Sequence, residues 1–185
     1  NGHPDGKIDE NDQTIIGDTN PDFFFGFNNT FTYKNFDFGV FVSGVVGGDI
    51  INTTFMMPMK LSAEGNIPVF LYKDAWRGDG TSNSYRIIKS ANADPQKFSA
   101  QYLDTRTHVR IKNINAAYTF DSKKIKKIGL SSLRIGINIV NPFTFTKYKG
   151  YDPEVSASTN AISRGVDMGN YPQARTYSFN LNCTF

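Results

Sequence analysis

The strongest constraint on this chain is its last eleven residues, Arg175-Thr176-Tyr177-Ser178-Phe179-Asn180-Leu181-Asn182-Cys183-Thr184-Phe185. Successive side chains of an extended strand point to opposite faces. Tyr177, Phe179, Leu181, Cys183 and Phe185 therefore share one face, wholly apolar or aromatic. Thr176, Ser178, Asn180, Asn182 and Thr184 share the other, wholly polar and uncharged. Sandwich strands of soluble proteins alternate too, but seldom end a chain on a bare phenylalanine. A strand crossing a bilayer in a closed barrel has this form, with lipid on one side, water on the other and about ten residues to cross.

Composition points the same way. Sixteen Phe and nine Tyr accompany a mean hydropathy of only −0.39, and no apolar run approaches the length of a membrane helix. A helical membrane protein is excluded and a barrel stays open. The single Cys rules out a disulfide scaffold, and a net charge of +3 is too small to argue for nucleic acid, so no nucleic-acid partner is expected. With neither a starting Met nor a signal peptide, and a loop-like beginning at Asn1, the chain reads as the end of something longer.

Residues 1–21 read as a loop. On the calcium-loop template Asn1, Asp5, Asp9 and Asp12 take positions one, five, nine and twelve, Lys7 offers its carbonyl and Gly6 makes the sharp turn. His3 replaces an expected oxygen ligand, and no helix pattern follows. One reading is a single bound cation, Ca2+; the other is a polar, turn-rich surface loop.

The segment 22–46 forms a hairpin by its own pattern. Phe23, Phe25, Phe27, Phe31 and Tyr33 share one face, with Asn29 among them. After Lys34-Asn35 the apolar parity changes to Phe36, Phe38, Val40, Val42, Gly44 and Val46. A two-residue turn at Lys34-Asn35 pairs Tyr33 with Phe36, and paired residues face the same way, so the change of parity is what the turn requires. Phe31 then faces Phe38, Phe27 faces Val42, and Phe25 covers Gly44.

Residues 48–107 are a long excursion of weak periodicity, tolerated in outer-membrane barrels because their turns are short on the periplasmic side and long outside. Trp76 beside Arg77, with Tyr72 and Tyr85 nearby, is placed to stack on a sugar or peptide; loop packing or an interfacial anchor is the plainer reading. The segment 108–120 is a strand whose phase breaks near Asn113, predicting a β-bulge there. Arg110 and Lys112 face the water side, as tuners of solute electrostatics or as ordinary hydrated wall. His108 reads as a loop-edge residue with no partner His or Cys at metal-binding spacing. The lysines of 123–127 read as a solvated turn, and a fourth strand follows from Leu133 to Phe145, with Pro142 strained or at a bulge. No Ser-His-Asp, Cys-His or phosphate-cradling glycine signature occurs, so no enzyme is expected.

Several of these stretches together resemble a known family. Asp5-Gly6-Lys7-Ile8-Asp9, Asn20-Pro21-Asp22-Phe23, Tyr33-Lys34-Asn35-Phe36-Asp37, Val109-Arg110-Ile111-Lys112-Asn113-Ile114, the run Asn141 to Glu154 with its Tyr148-Lys149-Gly150-Tyr151-Asp152-Pro153-Glu154, and Gly169-Asn170-Tyr171-Pro172 are similar to the closing region of SusC-like (RagA-like) TonB-dependent transporters. The resemblance implies an all-β fold: the last antiparallel strands of an outer-membrane barrel of about 22 strands, in meander order. Residues 1–21 would be an extracellular loop and 22–185 the C-terminal part of the barrel, with strands near 22–33, 36–47, 108–120, 132–146 and 174–185. The plug that fills such barrels would lie upstream, outside this chain.

The same resemblance implies import of oligosaccharides or oligopeptides, energised by a TonB complex through upstream segments, with a SusD-like surface lipoprotein as partner. Tyr177, Phe179, Leu181 and the terminal Phe185 match the signal read by the barrel-assembly machinery. Five strands cannot close a membrane barrel, and an open sheet edge in lipid leaves unpaired backbone groups, so a longer native chain is expected. The competing reading is a secreted β-sandwich that binds carbohydrate, assisted by calcium, with Trp76 for stacking. The side that the phenylalanine rows face discriminates the two.

Overall fold

The computed structural model describes residues 13–54, 66, 68–82, 84, 100–154 and 165–185. The strands are β1 (Phe23–Tyr33), β2 (Phe36–Val46), β3 (Asp49–Asn52), β4 (Leu103–Thr105), β5 (His108–Thr119), β6 (Ser132–Thr146), β7 (Val166–Asp167) and β8 (Thr176–Thr184), with short helices at Val69–Asp74 and Ser122–Ile125. The five long strands form one sheet in the order β1-β2-β5-β6-β8, each antiparallel to the next. At one end a smaller sheet, β4-β3-β7, joins the two long connections: β3 runs antiparallel to β4 and parallel to β7. No local pattern announced that pairing.

The first hairpin has the register its sequence dictates. Tyr33 pairs with Phe36, Phe31 with Phe38, Phe27 with Val42 and Phe25 with Gly44. Lys34 makes the tight turn possible by taking a left-handed φ of 53°. At the other short connection Asp121 caps a helical turn, its Oδ1 accepting from the Lys123 amide at 3.0 Å, and Ile125 is buried beneath exposed lysines. The lysine-rich stretch is thus a helical turn rather than an irregular one.

The bulge falls at Lys112. Asn113 pairs with Phe41 while Ile111 pairs with Val42, leaving Lys112 as an extra residue on β5. On β6 the partners of Asn113 and Ile111 are Val140 and Phe143, so Asn141 and Pro142 occupy the same level. The strands therefore carry no extra residue on β2, one on β5 and two on β6. Ile111 and Ile114 return to a common face, as do Ile139 and Phe143. Pro142 has no N–H to give a ladder, and Asn141 absorbs the bend with φ of 51°. Pairing of β6 with β8 stops at this level, at Val140 and Thr176.

The two faces of the sheet differ as the alternation requires. Phe23 is 54% exposed and Phe179 80%, and Phe27, Phe31, Phe143, Phe145, Tyr177 and Leu181 are exposed as well. Among the described residues no second layer covers this aromatic face, so a sandwich core is not built on it. On the opposite face the polar side chains bond to one another. Asn113 Nδ2 donates to Asn138 Oδ1 at 2.7 Å, Arg134 pairs with Asp37 at 2.7 Å, and Thr32 Oγ1 donates to Asp37 Oδ1 at 3.1 Å. Apart from Ile125 under the basic turn, the buried large or polar side chains, Ile50, Tyr102, Tyr148, Asn52, His108, Arg110, Asp152 and Asp167, lie on the long connections and the adjoining end of β5. A sheet with one apolar face open and its core displaced to one end is a segment of barrel wall.

Candidate functional site: a polar cluster at the loop end of the wall

Strand alternation places His108, Arg110 and the bulged Lys112 on the wet face of β5. The loop that follows β6 brings two carboxylates, also two residues apart, down onto them. Arg110 Nη2 donates to Asp152 Oδ1 at 2.5 Å and Nη1 to Glu154 Oε2 at 2.9 Å. Lys112 Nζ reaches the same Glu154 oxygen at 2.6 Å, and His108 Nε2 lies 3.2 Å from Glu154 Oε1. Asp152 is also wired to the chain itself, accepting from the Glu154 amide at 2.9 Å and, through its other oxygen, from the Gln173 amide at 3.1 Å. The Arg110 and Asp152 side chains are each only 3% exposed.

Burial of two carboxylates opposes their ionisation, and here three cationic or hydrogen-bonding side chains overcome it. Glu154 would be raised by burial, but the hydrogen bonds from His108 and Lys112 and the charges of Arg110 and Lys112 bring it down to about 2. Asp152 is likewise lowered: its burial is outweighed by the Arg110 hydrogen bond and the two backbone amides. A second buried bond lies beside the cluster. Tyr148 Oη donates to Asp167 Oδ2 at 2.5 Å, and burial together with that carboxylate pushes the phenol well above the usual tyrosine range. Asp167 Oδ1 meanwhile accepts from the Gly169 amide at 2.8 Å.

These contacts stitch the two long connections together. The Lys149 amide donates to Asp104 Oδ2 at 3.0 Å, Thr53 Oγ1 donates to the Asp167 carbonyl at 2.6 Å, and the Ile51 amide donates to the Gly165 carbonyl at 2.7 Å. Where β6 and β8 part, Asn141 Nδ2 holds the Ala174 carbonyl at 3.2 Å. A cleft of about 360 Å3 opens there, lined by Thr144, Tyr151, Asp152, Pro153, Gln173 and Arg175, with Arg110 at its wall. The Arg175 guanidinium rests 5.8 Å from the Phe143 ring centroid.

Of the residues expected to meet solute, Arg110 and Lys112 lie in this cluster, with their charges already engaged by loop carboxylates. Tyr72 and Trp76 stand apart from it, beside the short helix of the first long connection. Both are exposed, and Arg77 covers one face of Tyr72 with its guanidinium carbon 4.6 Å from the ring centroid. Tyr85 and the cation-loop residues Asn1, Asp5, Lys7, Asp9 and Asp12 lie outside the described residues. Among the described residues no group of three or more His, Cys, Asp or Glu is gathered to hold a metal. Tyr177, Phe179, Leu181 and Phe185 are all exposed along the apolar side of the final strand.

Sequence reasoning passed over His108, Asp152, Glu154, Tyr148 and Asp167. His108, the first residue of β5, is buried, with Nδ1 2.7 Å from the Arg106 carbonyl as well as Nε2 near Glu154. The available signal was complementarity, three bases at two-residue spacing on β5 against two acids at the same spacing in the loop.

No protein-family model matches the chain. Its relatives are consistent nonetheless. It is 32% identical over 185 residues to TonB-dependent receptor P3 of Formosa agariphila, matching 97% of this chain and 18% of that protein. It is 25% identical over 184 residues to TonB-dependent receptor SusC of Bacteroides thetaiotaomicron, matching 97% of this chain and 17% of that protein. Over nearly its whole length the chain is thus similar to part of several TonB-dependent receptors, SusC among them.

The receptor fold agrees. The RagAB peptide importer in its closed-closed state superposes with a TM-score of 0.69 at 21% identity, over 98% of this chain and 20% of that one. In its open-open state the TM-score is 0.68 at 22% identity, over 90% of this chain and 17% of that one. The chain thus spans a fifth or less of the receptors it matches, and its strands form part of a TonB-dependent receptor barrel. No helix among the described residues is long and apolar enough to cross a membrane, which says nothing of crossing by strands.

Proposed function

We propose that this chain is part of the wall of an outer-membrane importer, energised through TonB, that takes up oligosaccharides or oligopeptides together with a SusD-like surface lipoprotein. One observation carries the reading: the sheet exposes a row of aromatic side chains on one face and an interlinked Asn, Thr, Asp and Arg lining on the other, with no second layer over the aromatics among the described residues. Such a wall suits hydrocarbon outside and a wet, solute-sized passage inside. Similarity to TonB-dependent receptors supports the energy source, and similarity to SusC and to the RagAB peptide importer supports uptake of a polymeric nutrient. No chemical step is assigned to it, and the transported solute is expected to arrive intact.

The test uses the full-length receptor in its own host. Deleting its gene abolishes uptake of the cognate oligosaccharide or oligopeptide, loss of TonB has the same effect, and affinity purification from outer membranes brings down a surface lipoprotein. Undiminished uptake in both deletion strains, or recovery of the receptor as a soluble secreted protein, overturns the proposal.

A further inference from the structure

The cleft at the loop end has one wall that the sheet does not supply. Tyr151, Asp152 and Pro153 belong to the strap 147–154, which leaves β6 and crosses the wet face beside β5. Nothing in the backbone ladder holds that strap, because its residues form no strand. Its anchors are side chains: Asp152 and Glu154 on Arg110, Lys112 and His108, with Tyr148 on Asp167. Asp152 also reaches the Gln173 amide, so the same carboxylate fixes the opposite side of the cleft, just ahead of β8.

We propose that Arg110 and Asp152 form an ionic clasp that positions the strap and thereby shapes a solute-contacting cleft at the loop end of the barrel wall. They act as positioning residues: their own hydrogen-bonding atoms face each other, while Tyr151, 71% exposed, and the exposed Thr144, Gln173 and Arg175 are what the cleft presents to a solute. Breaking one partner of such a buried pair strands the other charge, so the strap opens more often even though Tyr148 and the Lys149 amide keep their own anchors on Asp167 and Asp104. The clasp is a fixed element. Its acidic members face His108, Arg110 and Lys112 from β5 and the Gln173 amide from the segment before β8, an arrangement that keeps it shut across the neutral range.

That the cleft meets cargo rests on the importer reading; the position of the strap does not. In the full-length receptor assembled in outer membranes, strap release is read by trypsin cleavage at Lys147 and Lys149 on intact cells, and cargo contact by the concentration dependence of uptake. Asp152→Asn and Arg110→Met each speed strap cleavage about tenfold or more, the loss expected for a charge-assisted hydrogen bond, since cleavage tracks the open population. They raise the half-saturating concentration with little change in maximal uptake, and Asp152→Glu restores part of both. Glu154→Gln, at the partly exposed edge of the cluster, gives a smaller shift of the same sign and carries the test if the buried variants fail to assemble. Cleavage within twofold of the parent in every assembled variant overturns the clasp. Faster cleavage with an unchanged half-saturating concentration overturns the cargo cleft alone, and absence of uptake by the parent receptor overturns the importer reading while leaving the strap result standing.

Discussion

The Phe25 ring fills the space that a side chain at Gly44 would occupy. The two residues pair across β1 and β2, and a Cβ at position 44 would collide with Cε1 and Cζ at the edge of the ring and stand 3.1 Å from the His108 carbonyl oxygen of β5. Aromatic cover of a strand glycine protects that stretch of ladder and leaves no room for a second side chain.

Substitution at position 44 is therefore expected to overpack. Gly44→Val costs about 1–3 kcal/mol, within the range for forcing extra carbon into a filled site. Phe25→Ala in the same chain recovers part of the loss because the two residues share one volume. The check is the urea midpoint of the full-length receptor in detergent, for each single variant and the pair. Equal, additive losses would show that the ring and the glycine do not share the space.

The acid side of the strap has a defined pH response. Glu154 is depressed to about 2, and Asp152 is held below the usual carboxylate range. A carboxylate with a lowered folded-state pKa contributes stability that is complete above its unfolded value and is lost as pH falls towards the folded one. Hydrogen exchange of amides in 147–154, corrected for intrinsic rate, is expected to be constant between pH 5 and 8 and to rise only as pH falls from about 4.5 towards 2. Loss of protection already at pH 6 would place the controlling group elsewhere.

Tyr148 links the strap to the short strand β7. In Tyr148→Phe, Asp167 keeps its bond from the Gly169 amide but loses the phenol donor in a place water does not reach. An unmet acceptor of this kind costs about 1–3 kcal/mol, more when charged. The loss should fall on the loop end alone. Faster exchange in β3, β7 and the strap, with β1 and β2 unchanged, is the expected pattern.

What the sequence disclosed follows from the range of the forces involved. The hairpin register could be read because strand alternation is local and the Lys34-Asn35 turn leaves one pairing that keeps Phe27, Phe31, Phe38 and Val42 on one face. The bulge could be read for the same reason: an apolar set that shifts from Val109 and Ile111 to Ile114 and Ala116 needs an extra residue, which proved to be Lys112. The clasp could not be read that way. Asp152 and Glu154 follow no periodicity, and they meet Arg110 across 42 and 44 residues through charge alone. The β3 and β7 pairing spans a still longer separation, with Thr53 bonded to Asp167 across 114 residues, and two strands of four and two residues leave no pattern to find. Arg110, read from the sequence as a tuner of solute electrostatics or as hydrated wall, is paired with Asp152 and Glu154, because a buried guanidinium requires carboxylates of its own.

On the importer reading the exposed aromatic rows face lipid, and that orientation predicts a penalty that depends on depth. Phe179 lies in the middle of β8, pairs with Ile137 and is 80% exposed, whereas Asn180 points to the wet face opposite Gly136. In a bilayer, arginine on the lipid face costs about 2–4 kcal/mol at the midplane and about 0–1 near the interface. Phe179→Arg should therefore lower the stability of the assembled receptor by about 2–4 kcal/mol, and Tyr177→Arg, two residues nearer the rim, should cost less. Asn180→Arg enters water beside a glycine and should stay within about 0.5 kcal/mol, as surface substitutions do. Equilibrium unfolding from lipid vesicles provides the comparison. Similar large losses for arginine at 177 and 179 would mean a dry protein layer over both positions, since a packed core has no rim to soften the charge, and the aromatic face would then be an interface rather than a lipid-facing wall.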